Sequence, residues 1–120
     1  MKPFIQDTTF GSITIEGKSF ENDIIIRLSG EIKKRKKKLS KAVYGSSHTV
    51  SLDEAKFIFD KSAKQIVIGS GQYGVLGLSE EAKKYFKKKD CAVNLLPTPK
   101  AVKVWNESKG RIIGMFHVTC

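Results

Sequence analysis

The pattern of apolar and polar residues predicts a strand-rich first third of the chain. Residues Phe10–Glu16 alternate between two faces, which is typical of a half-exposed strand. Asp23–Leu28 contains three consecutive isoleucines and predicts a second strand. Glu31–Leu39 is expected to form a third, highly charged strand or an extended arm, and Tyr44–His48 a polar loop. The short connections between these strands favour antiparallel pairing.

From Ser51 onward the pattern predicts helices and strands in alternation. Ser51 and Glu54 form a capping box at the start of the first helix, and Ser79 and Thr98 are expected to cap the next two. The strands that separate the helices are predicted at Ile66–Ile68, Cys91–Leu96 and Arg111–Val118. Such an alternation indicates a mainly parallel sheet flanked by helices, to which the earlier strands add an antiparallel β-layer or extension.

The length and composition indicate one globular domain over residues 1–120. Hydrophobic residues make up 40% of the chain, enough for a core, and no apolar run approaches the ~18–20 residues that a membrane span needs. The first ten residues lack a hydrophobic signal core, so a cytoplasmic protein without a membrane association is expected. Cys91 and Cys120 are expected to be free thiols.

A glycine-rich loop follows the buried strand Ile66–Ile68. Gly69, Gly71 and Gly74 match G-x-G-x-x-G, in which glycines let the backbone approach a phosphate. A dinucleotide site also requires a helix that opens within the motif and an acidic residue at the end of the next strand, about 20 positions later. Here the helix cap is delayed to Ser79, and the strand Cys91–Leu96 has no acid at its end. A tight turn beneath a neighbouring loop, and a general loop for anions or small ligands, are the other two interpretations.

A ligand crevice is predicted at the edge of the sheet where this loop lies. Parallel strands place the loops after Ile68 and Leu96 at one edge, and ligands of such folds bind there. Two helix N-termini pointing into this hollow would suit a carboxylate or phosphate. The crevice residues predicted on this basis are Gly69, Ser70, Gly71 and Thr98, with His48 at the polar rim.

The positive charge is concentrated in one segment. The net charge is +10, yet without residues 33–41 the remaining 111 residues carry 15 positive and 12 negative side chains. A solvated edge strand or loop is one interpretation of this run, and binding to nucleic acid or to an acidic partner is another. Its basic residues are Lys33, Lys34, Arg35, Lys36, Lys37, Lys38 and Lys41.

Two histidines and a cysteine are the candidates for metal or nucleophile chemistry. His48, His117 and Cys120 are only three ligands, and a structural zinc site needs four, so no metal site is predicted. A nucleophilic Cys120 would need activation by a histidine, but a cysteine in that position is expected to be mobile. Packing is the simplest role for His117, which by alternation shares a strand face with Ile113 and Met115.

Several short motifs, in order, resemble the adipogenesis-associated Mth-domain family. The family contains small, largely uncharacterised proteins from archaea, bacteria and animals, and a mitochondrial complex I assembly factor is a more distant relative. The similarity extends from about Phe10 to Cys120. The motifs that carry it are Phe10-Gly11, Gly45–His48, Ile68–Gly71, Leu96–Thr98 and His117–Cys120.

The resemblance implies an α/β fold in three layers, with a central mixed, mostly parallel sheet flanked by helices and an N-terminal antiparallel β-layer. It also implies a last strand antiparallel to its neighbours, which would bring Arg111 to the crevice rim in place of Cys120. The family offers no established catalytic residues. The links of its animal members to regulation and assembly favour binding over catalysis.

The sequence therefore predicts a non-enzymatic domain without a cofactor, which binds a protein partner or a small anion in the crevice at the glycine-rich loop. One alternative is an enzyme that acts on a phosphorylated or nucleotide-like substrate in the same crevice. The other is a protein that binds nucleic acid through the basic run at residues 33–41.

Overall fold

A computed structural model describes residues 2–120. Its helices are α1 (Lys38–Tyr44), α2 (Leu52–Ile58), α3 (Glu80–Lys88) and α4 (Thr98–Glu107). Its strands are β1 (Ile5–Thr9), β2 (Ser12–Ile15), β3 (Lys18–Phe20), β4 (Ile24–Ile26), β5 (Ile32–Lys34), β6 (Thr49–Val50), β7 (Gln65–Ser70), β8 (Gly77–Leu78), β9 (Ala92–Leu96) and β10 (Ile112–His117). None of the helices within residues 2–120 has the length and apolar character needed to cross a membrane.

The central sheet has the strand order β5-β4-β10-β7-β9, which confirms the predicted mixed α/β fold. β7 pairs in parallel with both β9 and β10, whereas β4 pairs antiparallel with both β10 and β5. The expectation that the last strand is antiparallel to its neighbours is therefore wrong for β7. The crossover through α4 returns the chain to the same end of the sheet, so β10 starts where β7 starts.

Both faces of the central sheet are covered, as the run Ile66–Ile68 predicts. Val67 packs on the face that carries α4 and the small antiparallel sheet β1-β2-β3. Ile66 and Ile68 point to the other face and pack with residues of α2 and α3. The result is three layers, because each face of the sheet buries its own apolar cluster.

The N-terminal β-layer differs from the prediction at one turn. The segment Phe10–Glu16 is not one strand, because β1 ends at Thr9 and β2 begins at Ser12. Gly11 lies between them with φ +92°, a backbone conformation that favours glycine, and it closes an antiparallel hairpin. β1 was not predicted, because Ile5 is its only apolar residue and the strand therefore shows no alternation.

The charged segment after β4 also differs from the prediction. Only Ile32–Lys34 is a strand, and the chain then forms α1 from Lys38 to Tyr44. This helix has no side-chain hydrogen bond at its N-cap and no acidic residue in its first turn, so the usual start signals are missing. Gly45 ends the helix with φ +69°.

Candidate functional site

The candidate site lies at the end of the central sheet where β7 and β10 terminate. His117 is the last residue of β10, and the glycine-rich loop starts at the end of β7. The segment after β10 then crosses this loop and brings Cys120 next to His48. The glycine-rich loop thus lies at the carboxyl ends of the parallel strands β7 and β10, the edge at which ligands of such folds bind.

The glycine-rich loop is a tight turn beneath the C-terminal segment. A Cβ atom on Gly71 would lie 2.2 Å from the carbonyl carbon of Cys120, and φ at Gly71 is +102°. The Gln72 amide donates to the Thr119 carbonyl, and the amides of Tyr73 and Val75 donate to the Cys120 carbonyl. These contacts support the interpretation of a turn under a neighbouring segment, because the chain itself uses amides that an anion would need.

The prediction that Thr98 caps a helix is wrong. Thr98 instead joins the glycine loop to β10. Pro97 occupies the N-cap position of α4, and Thr98 makes no capping hydrogen bond. The Thr98 hydroxyl accepts from the Gly71 amide at 2.9 Å and donates to the His117 carbonyl at 2.6 Å. A Cβ on Gly69 would lie only 2.8 Å from this hydroxyl oxygen, so the close packing needs glycine there.

Of the predicted crevice residues, Arg111 lies elsewhere. Its carbonyl accepts hydrogen bonds from the amides of Lys64 and Gln65, where β7 begins. Because β10 runs parallel to β7, residue 111 is at the opposite end of the sheet from the glycine loop. Gly69, Ser70, Gly71, Thr98 and His48 remain on the crevice side.

A buried ion network lies behind the crevice. The Arg35 guanidinium donates to Asp23 at 2.9 Å and to both oxygens of Glu54 at 2.5 and 2.9 Å. All three side chains are fully enclosed. Burial lowers the pKa of Arg35, but the hydrogen bonds and charges of Glu54 and Asp23 outweigh burial and raise it.

Asp23 connects this network to His117. One Asp23 oxygen lies 2.7 Å from Nδ1 of His117, and the other accepts from the Val118 amide at 2.9 Å. Burial raises the pKa of Asp23, but the hydrogen bonds from His117, Val118 and Arg35 lower it to about 2. The carboxylate is therefore ionised at neutral pH and fixes the orientation of the His117 ring.

Two other side chains of the candidate site, those of His48 and Cys120, lie close to His117. The Cys120 thiol lies 3.6 Å from Nε2 of His48, and the rings of the two histidines have centroids 5.7 Å apart. His117 is buried, as predicted, and its Nε2 lies 3.3 Å from the Thr119 hydroxyl. The Cys120 carbonyl accepts hydrogen bonds from the Tyr73 and Val75 amides of the glycine loop, so the main chain of this residue has partners there.

The capping box at α2 is half formed, for a reason that matters to the site. The Ser51 hydroxyl accepts from the Glu54 amide at 3.1 Å, as predicted. The Glu54 side chain does not reach back to Ser51, because it pairs with Arg35 and accepts from Ser40. The Ser40 hydroxyl accepts the Ser51 amide instead, at 2.9 Å.

Arg35 does not belong to a surface basic patch, which corrects the prediction for the run at residues 33–41. The lysines of this run lie on β5, in the turn that follows β5 and on α1, and their side chains reach solvent. Nucleic-acid binding through the remaining lysines stays a prediction. Those residues are Lys33, Lys34, Lys36, Lys37, Lys38 and Lys41.

Sequence reasoning missed Asp23 and Glu54 as parts of the site. Their partners are distant along the chain, since 94 positions separate Asp23 from His117. One signal was present: Arg35 is the only arginine in a run of lysines, in a chain with few arginines. A guanidinium forms bidentate buried pairs that an ammonium cannot form, so that exception indicated an internal role.

Comparison with known proteins supports the resemblance found in the sequence. The conserved hypothetical protein PH1505 from Pyrococcus horikoshii OT3 is 36% identical with a TM-score of 0.88, and the match covers 97% of this chain and 98% of that one. The solved structure of MT938 is 31% identical, with a TM-score of 0.83 and coverage of 99% and 100%.

A third structure, of a protein from Bordetella pertussis, is described as an Mth938-like domain. It is 12% identical with a TM-score of 0.63 over 97% of this chain and 85% of that one, so it supports the fold alone. The profile of the family described as "Protein of unknown function (DUF498/DUF598)" matches residues 5–116. This chain belongs to that family of small, uncharacterised Mth938-like domains.

Proposed function

We propose that this domain binds an acidic protein partner through an apolar patch at the rim of the glycine-loop crevice. We call this the rim patch and define it by Phe10, Tyr73 and Val75. These residues are 59%, 75% and 52% exposed. The observation that carries the proposal is this group of large exposed apolar residues on two loops that the C-terminal segment holds together.

The rim patch is built on a fixed backbone. The Gly11 amide donates to the Val118 carbonyl at 2.7 Å, and the Gln72 side chain donates to the Thr8 hydroxyl at 3.1 Å. The rings of Phe10 and Tyr73 have centroids 6.0 Å apart. Surfaces that are ordered before binding lose less conformational entropy when they bind, and exposed aromatic residues are common anchors of protein interfaces.

The charge of the chain favours an acidic partner. The net charge of +10, most of it in residues 33–41, attracts acidic proteins to the chain as a whole, speeds their association and disfavours basic competitors. A small anion in the crevice has less support, because the glycine-loop amides already donate to the C-terminal segment. An enzyme for a phosphorylated or nucleotide-like substrate has less support for the same reason. The cytoplasmic location stays a prediction.

The test uses the double variant Phe10→Ser/Tyr73→Ser and the control Phe4→Ser, since Phe4 is 56% exposed and outside the rim patch. Proteins captured by the wild type are identified, and the binding of each purified candidate is measured by calorimetry. We expect one acidic partner whose dissociation constant rises about 100-fold or more with the double variant, as loss of two anchor residues predicts. Phe4→Ser should bind as tightly as the wild type.

Two outcomes would overturn the proposal. The first is that the purified partner binds the double variant as tightly as the wild type. The second is that the wild type forms a dimer in solution that dissociates in the double variant, which would assign the rim patch to self-association. Size-exclusion chromatography with light scattering distinguishes the second outcome before any partner is identified.

A further inference from the structure

Three metal-ligating side chains meet where the C-terminal segment crosses the crevice. His48, His117 and Cys120 each offer one donor atom, and all three atoms lie within 4.8 Å of one another. They come from the loop before β6, the end of β10 and the segment after it. No local pattern groups them along the chain, because 72 positions separate His48 from Cys120.

The orientation of His117 is that of a metal ligand. Its Nδ1 faces the Asp23 carboxylate at 2.7 Å, and an ionised carboxylate only accepts hydrogen bonds, so the ring proton is on Nδ1. Nε2 then carries the lone pair, and its only hydrogen-bonding neighbour among the described residues is the Thr119 hydroxyl at 3.3 Å, a contact that a bound metal ion would replace. A carboxylate that fixes the outer nitrogen of a histidine is the usual support behind a bound metal ion.

The separation of the other two donors also fits a metal ion. Zinc bonds of about 2.0–2.1 Å to nitrogen and about 2.3 Å to sulfur place two tetrahedral ligands about 3.5 Å apart. The distance from Cys120 Sγ to His48 Nε2 is 3.6 Å. The carbonyl of Cys120 accepts from two amides of the glycine loop, which keeps the backbone of this residue within reach of His48.

We propose that His48, His117 and Cys120 bind a Zn²⁺ ion. Two imidazoles and one thiolate suit zinc better than magnesium or calcium, which prefer oxygen ligands. Three protein ligands leave a fourth position for water or for a group of a ligand, the arrangement of an open zinc site and not of a closed structural one. His48 is accessible to solvent and gives the ion a path of entry.

The test uses Co²⁺ as a spectroscopic substitute for zinc in the full chain without an affinity tag. Metal is first removed with a chelator, and Co²⁺ is then titrated while visible and near-ultraviolet absorption are recorded. We expect one equivalent of Co²⁺ to bind, with a thiolate-to-cobalt charge-transfer band and the intense visible bands of tetrahedral cobalt. Zn²⁺ should displace the cobalt, and binding should release protons from the ligands.

The variants Cys120→Ser and His48→Gln test the ligands individually, and circular dichroism checks that each is folded. Cys120→Ser should lose the charge-transfer band. His48→Gln should weaken binding more than about 100-fold, since loss of a ligand should exceed the 10–100-fold cost of losing an outer-shell partner. Cys91→Ala is the matched control: Cys91 is buried, burial raises the pKa of its thiol to about 11, and the variant should bind cobalt like the wild type.

The proposal is overturned if the folded wild type binds no stoichiometric Co²⁺ or Zn²⁺. It is also overturned if the charge-transfer band persists in Cys120→Ser or disappears in Cys91→Ala, since the thiolate ligand would then be Cys91. Binding that is unchanged in His48→Gln would exclude the three-ligand site in the same way.

Discussion

Two supports of different chemistry hold the His48–His117–Cys120 cluster in place. On the side of His117 the support is the ion network of Asp23, Arg35 and Glu54, buried and held by charge. On the side of Cys120 the support is the glycine loop, which carries no charge and acts through backbone amides and close packing. One cluster therefore depends on two different conditions, paired charge on one side and the absence of a side chain on the other.

The two supports should fail in different ways. A buried ion that loses its partner is still removed from water but no longer has an opposite charge to compensate. Single substitutions in the network should therefore destabilise the fold strongly. A glycine loop fails when a side chain enters the space that the C-terminal segment occupies. Substitutions in each support therefore distinguish these two ways of failing.

Arg35→Met should have the largest effect on stability. The substitution leaves the carboxylates of Asp23 and Glu54 buried without their shared cation, and breaking such a pair costs about 3–5 kcal/mol. Urea unfolding followed by circular dichroism measures the change in unfolding free energy. Lys34→Met is the matched control: Lys34 is exposed on β5, so its loss should change stability by less than about 0.5 kcal/mol. Equal stability of the two variants would contradict the assigned role of the network.

Gly71→Ala should have the next largest effect, through packing and not through charge. The left-handed backbone costs about 1–2 kcal/mol for alanine, and the overlap with the Cys120 main chain adds about 1–3 kcal/mol. The C-terminal segment should then leave the loop, and the Gln72, Tyr73 and Val75 amides should exchange hydrogen faster.

Gly77→Ala is the control for this variant. Nothing lies within 4 Å of an added Cβ at Gly77, so its stability and its amide exchange should match those of the wild type. If the loop amides exchange hydrogen as slowly in Gly71→Ala as in the wild type, then the packing of the C-terminal segment on the loop does not depend on a glycine at this position.

The glycine loop could be recognised in the sequence, whereas the ion network could not. The strands Ile66–Ile68 and Arg111–Val118 and the Ser79 cap followed from local patterns, and hydrogen bonding confirms that cap at 3.0 Å to the Ala82 amide. The glycine loop was recognised, because a loop with three glycines after a buried strand is a local signal. That signal did not tell whether a ligand or the chain itself fills the loop.

The ion network was hidden, because charge pairing is a property of the folded chain and not of a segment. Asp23 precedes a strand and Arg35 follows one, and neither position shows which partner will be near. The direction of β10 was predicted correctly relative to β7 by the alternation of helices and strands, and wrongly by the family resemblance. The resemblance was right about the family and the mixed α/β fold, and wrong only about the direction of this strand relative to β7.

The smallest predicted effect is a pH dependence that belongs to the ion network alone. The pKa of Asp23 falls from 3.8 to about 2 in the folded protein, so the unfolded chain takes up a proton first as the pH decreases. The resulting stabilisation is complete above about pH 4 and is lost as the pH falls through 2, an effect of about 2 kcal/mol.

Carbon-13 NMR of the Asp23 carboxyl group in metal-free protein measures this titration directly, and urea unfolding at each pH measures its energy. Gly71→Ala removes no charged partner of Asp23 and should change its midpoint less than Arg35→Met, which should raise it by removing a cationic partner. Asp53 is exposed on α2 and serves as an internal reference in the same spectra. An Asp23 midpoint at its ordinary value in the wild type would mean that charge does not hold His117, and the distinction between the two supports would then be lost.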